Sequence, residues 1–154
     1  MKHRIVCKSF ELLTVYELYD SLRLRNEVFM LEQNCLEPDL DNMDQHCHHL
    51  LLYRGDDLAG YARLFAPGLH FPEMSLGRVV SSLNARGIGV GKQVMEAAMR
   101  ELYQLYGDGP IRIAAQTYAR VFYEKLGFVT DGEKYMLDGI EHIDMVRPPQ
   151  SGTY

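Results

Sequence analysis

The residues whose types and spacing most clearly suggest chemistry are Arg86, Gly87, Gly89 and Gly91, in the run Arg-Gly-Ile-Gly-Val-Gly. Glycines at alternate positions let the backbone take positive φ and come close to a ligand. An amphipathic segment follows, and the first N–H groups of a helix have no partners within it. Such amides attract anions, most often phosphate. The run predicts a phosphate-binding turn or, alternatively, a turn that only tightens a strand-to-helix corner.

Two common phosphate motifs do not fit this run. A P-loop needs glycine where Arg86 stands, and a hydroxyl residue where Gln93 follows Gly91 and Lys92. The dinucleotide-binding fingerprint, started at Gly87, reaches Lys92 in place of its last glycine. Both of these nucleotide-binding classes are therefore excluded.

The turn resembles the Arg/Gln-x-x-Gly-x-Gly/Ala signature of the Gcn5-related N-acetyltransferase (GNAT) superfamily, with Arg86, Gly89 and Gly91 in register. In that superfamily the turn wraps the pyrophosphate of acetyl-coenzyme A (acetyl-CoA). The resemblance implies that the whole turn binds this co-substrate, through Arg86, Gly87, Ile88, Gly89, Val90, Gly91 and Lys92.

A second stretch resembles the superfamily's Asn-x-x-Ala-x-x-x-Tyr-x-x-x-Gly-Phe signature. Ala119, Tyr123, Gly127 and Phe128 are in register, and Gln116 stands where the family usually has asparagine. The resemblance implies that Gln116 contacts the pantetheine arm and that Tyr123 is the general acid that protonates the departing thiolate. The alternative for Tyr123 is a packing tyrosine with its hydroxyl hydrogen-bonded.

Further matches over nearly the whole chain are similar to the small bacterial ElaA-like branch of the superfamily. They are Leu24-Arg25, Val28-Phe29, Glu32-Gln33-Asn34-Cys35, Asp41, Asp44, His49-Leu50, Ala62-Arg63-Leu64, Gly77-Arg78-Val79, Asp138-Gly139-Ile140, His142-Ile143 and Met145. Membership implies the superfamily fold and direct attack of a primary amine, from a small molecule or a peptide, on the thioester. It implies no particular acceptor. Homodimers are common among such proteins, but no residue pattern here specifies an interface.

The resemblance also places the pantetheine arm. In the family, the strand before the glycine turn splays from its neighbour, and the arm binds the exposed backbone, here Val79, Val80 and Ser81. Gly77 lies inside this strand, and a strand glycine often marks a bulge.

The general base stays open among Glu32, His49 and His142, which lie in the matching segments outside the two signatures. Glu32 could instead cap the first helix, and either histidine could be a hydrogen-bonded strand residue. A chain of water molecules leading to solvent is an equal alternative.

Acidic and histidine residues cluster before the second predicted strand, at Asp39, Asp41, Asp44 and residues 46–49. Strand alternation places the metal-ligating side chains of residues 46–49 on opposite faces, so we expect no metal site. The carboxylates could be solvated, which we favour, or could attract a cationic amine. Arg25, Arg63 and Arg78 could bind an acceptor carboxylate, but pairing with Asp41 or Asp44 is the favoured expectation.

Composition limits the function classes. The 154 residues carry a formal charge of -5, which disfavours nucleic-acid binding and favours a cationic partner. No apolar run has the ~20 residues of a membrane span, and the first residues lack the apolar core of a signal peptide. Three cysteines without close pairing favour reduced thiols. We expect a cytoplasmic protein. Two other functions stay open: a catalytically silent acyl-CoA-binding module, and a metal-dependent protein.

The elements that position these residues follow from periodicity and turn residues. The predicted strands are residues 5–10, 49–53, 58–65, 74–81, 111–115, one opening at 128, 134–137 and 140–145. The predicted helices are residues 15–30, 90–105 and 119–126, and residues 37–49 form a loop with at most one helical turn. Thr14 and Glu17 match a capping box, and Val15, Leu18 and Tyr19 start the buried face of the first helix. The order predicts one α/β domain over residues 1–147, a mixed sheet flanked by helices, with a polar tail over 148–154.

Overall fold

The structure is a computed structural model that describes residues 2–35 and 37–151. Its central element is one mixed β-sheet. Its strands are β1 (His3–Ser9), β2 (His48–Arg54), β3 (Asp57–Phe65), β4 (Met74–Ser81), β5 (Ile111–Gln116), β6 (Val129–Thr130), β7 (Tyr135–Leu137) and β8 (Ile140–Arg147). The order across the sheet is β1-β2-β3-β4-β5-β8-β6, with β7 also pairing β8. Among the described strands, only β4 and β5 pair in parallel.

In the described residues, the α-helices that flank the sheet are α1 (Val15–Asn26), α2 (Val90–Tyr106) and α3 (Arg120–Glu124). The predicted fold class is confirmed, as are the hairpins at residues 54–57 and 138–139. The predicted single helical turn in the loop before β2 is the short 3-10 helix Asp44–His46. The third helix is shorter than predicted at both ends, because Ala119 belongs to the 3-10 turn Thr117–Ala119 and residues 125–127 form a turn.

The first helix begins as predicted and packs differently. Thr14 accepts a hydrogen bond from the Glu17 amide, and the Glu17 carboxylate accepts one from the Thr14 amide, so the capping box is confirmed. The predicted buried face is wrong in part, because Val15 is 76% and Tyr19 70% exposed. The buried positions lie further along, at Leu24 and Val28 among others, where the helix crosses the sheet.

The end of the first helix is a π-helix, Glu27–Glu32, that continues α1. Its wider turn is closed by the hydrogen bond from the Gln33 amide to the Val28 carbonyl, 2.9 Å long. Short π segments inside helices often occur at functional sites. This one determines where Glu32 and Gln33 lie relative to the sheet.

The larger core lies between α2 and the sheet. Val90, Val94, Ala98 and Leu102 are buried along one face of α2, as the sequence pattern predicted. They approach β3 at Gly60, where a Cβ atom would lie 2.5 Å from the Val94 side chain. This close contact fixes the start of α2, and with it the glycine turn, against the sheet.

Residues 150 and 151 lie beside the end of α2. The amides of Gln150 and Ser151 donate to the Asp108 carboxylate at 2.7 and 3.0 Å. Residues 152–154 of the predicted tail lie outside the described residues. Within residues 2–35 and 37–151, no helix combines the length and the apolar character that crossing a membrane requires.

Candidate active site

A cleft opens where β4 and β5 separate. The two strands pair only at Met74–Ile111 and Ser75–Arg112, and their described residues pair no further. A cavity of about 450 Å³ occupies this opening and extends toward α1. Its walls include Phe29, Gln33, Glu37, Asp41, Arg63, His70, Arg78, Val79, Gln116, Tyr118, Tyr123, Asp138 and His142.

A β-bulge on β4 borders the cleft, one residue after the predicted position. Gly77 pairs with Arg63 and Val80 pairs with Tyr61, so two residues of β4 face one residue of β3. The residue with positive φ is Arg78, at 50°, and not Gly77. The bulge bends β4 away from β5.

The predicted backbone contacts Val79, Val80 and Ser81 lie at and after this bulge. Val79 lines the cavity, and the Val80 side chain is buried on the α1 side of the sheet. The Ser81 carbonyl accepts a hydrogen bond of 3.4 Å from the Arg86 guanidinium. No β5 residue pairs with these three, so their backbone on the β5 side is free to bind a ligand.

The glycine turn follows directly and leads into α2. Gly87 and Gly89 have φ of 82° and 81°, and no atom of the described residues lies within 4 Å of a Cβ built on either. Gly89 is the N-cap of α2, so the amides from Val90 onward point out of the helix end. Gly91 faces Phe122 of α3, whose ring would lie 3.7 Å from a Cβ atom at this position. Two of the glycines are thus required by backbone conformation, and the turn presents open backbone.

The side chains of the turn lie mostly at the surface. Ile88 is 47% exposed, and Lys92 pairs with Glu96 at 3.9 Å. Arg86 forms an ion pair of 2.6 Å with Glu32, at the end of the π-helix. Glu32, one of the predicted base candidates, therefore contacts the glycine turn and does not line the cavity.

Tyr123 lies in α3 with its ring packed edge-on against Phe122 and Phe128, at centroid distances of 5.2 and 6.0 Å. It lines the cavity, and no described residue offers its hydroxyl a hydrogen-bond partner. Burial, together with the nearby Tyr118, raises the pKa of Tyr123 to about 12. The phenol is therefore protonated at neutral pH and its proton is available to a ligand in the cavity.

A chain of amide and hydroxyl groups joins Gln33, which follows the π-helix, to the end of β5 across the cleft. The Gln116 side chain donates to the Gln33 side chain at 3.3 Å, and Gln33 donates to the Tyr118 hydroxyl at 3.4 Å. Sequence alone assigned no role to Gln33 or Tyr118, although both lie inside the matching segments. Only the fold brings them together, since more than eighty residues separate them in the chain.

The two histidine base candidates occupy different places. His142 lines the cavity; its Nδ1 lies 2.8 Å from the Ile140 carbonyl, which requires a proton on Nδ1 and leaves Nε2 as an acceptor. His49 is fully buried, with Nδ1 2.6 Å from the Tyr61 hydroxyl and Nε2 2.8 Å from the Asp44 carbonyl. Burial lowers the pKa of His49, against the opposing effects of Asp44. His49 does not line the cavity.

The acidic loop and three arginines form a closed ring of alternating charges, which we call the Arg–Asp ring. Each arginine contacts two aspartates and each aspartate two arginines, at 2.8 to 3.6 Å. In order around the ring the members are Arg25, Asp39, Arg78, Asp41, Arg63 and Asp44. The favoured expectation that these arginines pair with the loop is confirmed. The expectation that the carboxylates are simply solvated is wrong.

The ring shifts the pKa values of its members. Burial alone would raise the pKa of Asp44, but Arg25 and Arg63 hold it below the ordinary value. The same balance lowers the pKa of Asp41 to about 2, mainly through Arg63. Asp41 and Asp44 therefore stay ionised at neutral pH, and the loop is held against the sheet at the α1 end of the cavity.

Cys47 and His49, two of the residues weighed as metal ligands, have other partners. The Cys47 thiol donates to the Met43 carbonyl, and both nitrogens of His49 are hydrogen-bonded, to Tyr61 and Asp44. In the described part of the chain, no group of three or more His, Cys, Asp or Glu side chains is arranged to hold a metal ion.

Comparison with solved structures identifies the class of protein that this splayed sheet and glycine turn define. An acyl-CoA N-acyltransferase from Pseudomonas aeruginosa superposes with a TM-score of 0.89 at 40% identity, covering 95% of this chain and 99% of that one. Escherichia coli ElaA superposes with a TM-score of 0.88 at 33% identity, covering 95% and 99%. The fold is that of the acyl-CoA N-acyltransferases.

Sequence comparison places the chain more closely. The acetyltransferase (GNAT) domain family matches residues 18–147. A UPF0039 protein of Synechocystis is 39% identical over 137 residues, which is 88% of this chain and 89% of that protein. The protein ElaA of Escherichia coli is 36% identical over 137 residues, 88% and 90% respectively. The chain belongs to the GNAT acetyltransferase family, with ElaA and UPF0039 proteins as homologues. Membership supports an acyl-CoA-dependent acyltransferase.

Proposed function

We propose that the protein is an N-acetyltransferase that transfers the acetyl group of acetyl-CoA to a primary amine while both substrates are bound. The observation that carries the proposal is the cleft between β4 and β5, open beyond Ser75, with Tyr123 on its wall and the glycine turn in the segment that leads from β4 into α2. A pantetheine arm is extended and polar along its length, and suits a strand edge with free backbone groups. A diphosphate suits the amides at the start of α2.

In this assignment the co-substrate binds through backbone atoms more than side chains. Val79, Val80 and Ser81 bind the pantetheine arm, and residues 86–92 bind the diphosphate. Gln116 binds near the thioester end of the arm, beside Gln33, to which its side chain donates. The ion pair of Arg86 with Glu32 leaves a partly exposed guanidinium beside the turn. Because that pair is formally neutral, the backbone amides of the turn carry most of the diphosphate binding.

The reaction is attack by the amine nitrogen on the thioester carbonyl. A carbon–nitrogen bond forms, the carbon–sulfur bond breaks, and its electron pair leaves on sulfur. Much of the rate comes from holding the two substrates in reach of each other.

Tyr123 donates its proton to that sulfur. Its pKa of about 12 exceeds that of a free thiol, roughly 8.5, so full transfer to a solvated thiolate is uphill. The donation therefore helps as a hydrogen bond that strengthens while charge develops. We expect a contribution to the rate smaller than that of a strong general acid.

His142 is the base that the geometry favours among the three candidates. Its Nε2 is the free acceptor, and the residue lines the cavity within strand β8, opposite Gln116 in the register. Glu32 is held by Arg86, and His49 has both nitrogens engaged. A water chain in the cavity could carry the same proton.

The test is a screen of primary amines for amine-dependent release of free CoA thiol from acetyl-CoA. The panel includes polyamines, amino acids, aminoglycosides and short peptides. Amine-dependent release supports the enzyme. Measurable CoA binding without release from any amine favours the silent acyl-CoA-binding module, which the engaged states of Glu32 and His49 keep as the second candidate.

A further inference from the structure

The cations that line the cavity are already neutralised. Among the described residues, the arginines in its wall are Arg63 and Arg78, and both belong to the Arg–Asp ring. The ring has three arginines and three aspartates, so its formal charge is zero. Arg63 is 3% exposed, with both terminal nitrogens bonded to carboxylates of the loop. Neither arginine is free to bind an acceptor carboxylate.

Two carboxylates in the same wall are not neutralised. Glu37 follows the first helix segment, and Asp138 lies at the tip of the β7–β8 hairpin with φ of 52°. Within the described residues neither makes an ion pair or a hydrogen bond. With the ring neutral, these two residues leave the cavity wall with two uncompensated negative charges.

A buried and partly unpartnered side chain also faces the cavity. His142 is 8% exposed, and its Nδ1 is fixed by the Ile140 carbonyl. Its Nε2 has no partner among the described residues. This nitrogen is not enclosed by the described residues, so a ligand in the cavity can reach it. An imidazole acceptor calls for a ligand that donates a proton, as an ammonium group does.

We propose that the acceptor is a small aliphatic di- or polyamine, a primary amine that carries a second positive charge. The inference rests on the proposed function and names its substrate class. Glu37 and Asp138 hold the distal ammonium, while the reacting nitrogen lies toward His142 and Tyr123. An amino acid would bring a carboxylate to a wall whose guanidinium groups are all paired and whose free charges are negative. Such an acceptor is disfavoured.

The decisive comparison uses three acceptors that share a four-carbon chain and differ in the charge at the far end. They are putrescine, with a second ammonium; butylamine, with a methyl group; and γ-aminobutyrate, with a carboxylate. An exposed charge pair changes affinity by up to roughly fivefold. With two carboxylates we expect kcat/KM for putrescine to exceed that for butylamine by about tenfold or more, with γ-aminobutyrate the poorest of the three.

Substitutions then assign the preference to residues. Glu37→Gln and Asp138→Asn should each lower the putrescine-to-butylamine ratio of kcat/KM by roughly three- to fivefold. The matched control is Asp56→Asn, which removes the same charge from the β2–β3 turn, outside this cavity. The control should leave the ratio unchanged.

The outcomes separate this inference from the proposed function. Acetylation of butylamine with no preference for putrescine, or a preference that neither variant reduces, overturns the inference and leaves N-acetyl transfer standing. If no amine is acetylated, calorimetry of putrescine binding to the CoA-loaded protein decides. Binding that Glu37→Gln and Asp138→Asn weaken supports the cation site although transfer has failed, and absence of binding overturns it.

Discussion

Replacing Asp44 with asparagine opens the Arg–Asp ring between its two most buried arginines, Arg25 and Arg63. Asp44 is 7% exposed and accepts from Arg25 at 3.1 Å and from Arg63 at 2.8 Å. Asparagine has nearly the same shape and keeps one oxygen acceptor, so no cavity forms. The substitution removes only the charge that both guanidinium groups face.

The expected loss of stability depends on the ion pairs that Arg25 and Arg63 keep in the variant. Removing one partner of a buried ion pair costs about 3–5 kcal/mol. Arg25 keeps Asp39 and Arg63 keeps Asp41, so we expect a loss of about 3 kcal/mol, the low end of that range. For a domain of this size, one kcal/mol lowers Tm by about 2–4 °C, so Tm should fall by roughly 6–12 °C.

Thermal and urea unfolding measure this loss, with Glu27→Gln as the control. Glu27 pairs with Arg23 on the exposed face of α1, and loss of such a pair costs about 0.5 kcal/mol or less. A Tm shift for Asp44→Asn no larger than that of the control would refute the ring as a stabilising element. If the variant does not fold, Asp41→Asn, at the more exposed part of the ring, should show a smaller loss of the same sign.

The pH dependence gives the ring a second signature. Because the pKa of Asp44 is lowered in the folded state, its contribution is present above the unfolded pKa, about 3.9, and is lost as pH falls through the folded value. Wild-type protein should therefore lose stability steeply below about pH 4. Asp44→Asn should lose less over the same interval.

Three further predictions concern the site and its supports. If the phenol donates to sulfur, Tyr123→Phe should lower kcat by about 10- to 100-fold, with little change in KM for acetyl-CoA. Steady-state release of CoA thiol measures both constants, and an unchanged kcat would rule out the acid role. Gly89→Ala and Gly68→Ala both place alanine at φ above 80° in open space, so each should cost about 1–2 kcal/mol of stability. Only Gly89→Ala should weaken CoA binding in calorimetry. Equal CoA affinities of the two variants would show that the turn does not bind the co-substrate. Because burial lowers the pKa of His49, the stability of the wild-type protein should decline as pH falls below about 6.5. His49→Asn should flatten that part of the curve of Tm against pH. An unchanged slope would show that other groups cause the decline.

Features set by local sequence were predictable. The glycine turn, the capping box of Thr14 and Glu17, and the hairpin at Asp138 depend on residues within a few positions of one another. Their chemistry is visible in the sequence because only certain residue types adopt those conformations.

Features that depend on packing between distant parts of the chain were not predictable from the sequence. Helical periodicity showed that α1 has an apolar face but not how much of it the sheet covers, and Val15 and Tyr19 remain exposed. The bulge falls at Arg78, where the ion pair with Asp39 holds a non-glycine residue at positive φ, although Gly77 was the residue that composition favoured. The π-helix has no signal in the sequence that we recognise.

In the candidate site too, locally determined features were predictable and features that depend on packing were not. Tyr123 and the turn were indicated by local motifs that resemble family signatures, whereas the closure of the Arg–Asp ring depends on contacts between residues up to 39 positions apart in the chain. The free carboxylates, Glu37 and Asp138, become distinct from the paired ones only when the ion pairs of the described residues are known. The sequence suggested a cationic partner, but the aspartates that were expected to attract it are neutralised by the arginines of the ring.

The most direct test of acyl transfer in this cleft is a single-turnover measurement with acetyl-CoA bound to excess protein and putrescine then added. Mass spectrometry counts the acetylated amine, and a thiol reagent counts the free CoA. We expect equal amounts of the two products, formed more slowly by Tyr123→Phe. Bound acetyl-CoA that stays intact with putrescine and with every other primary amine tried would contradict acyl transfer in this cleft.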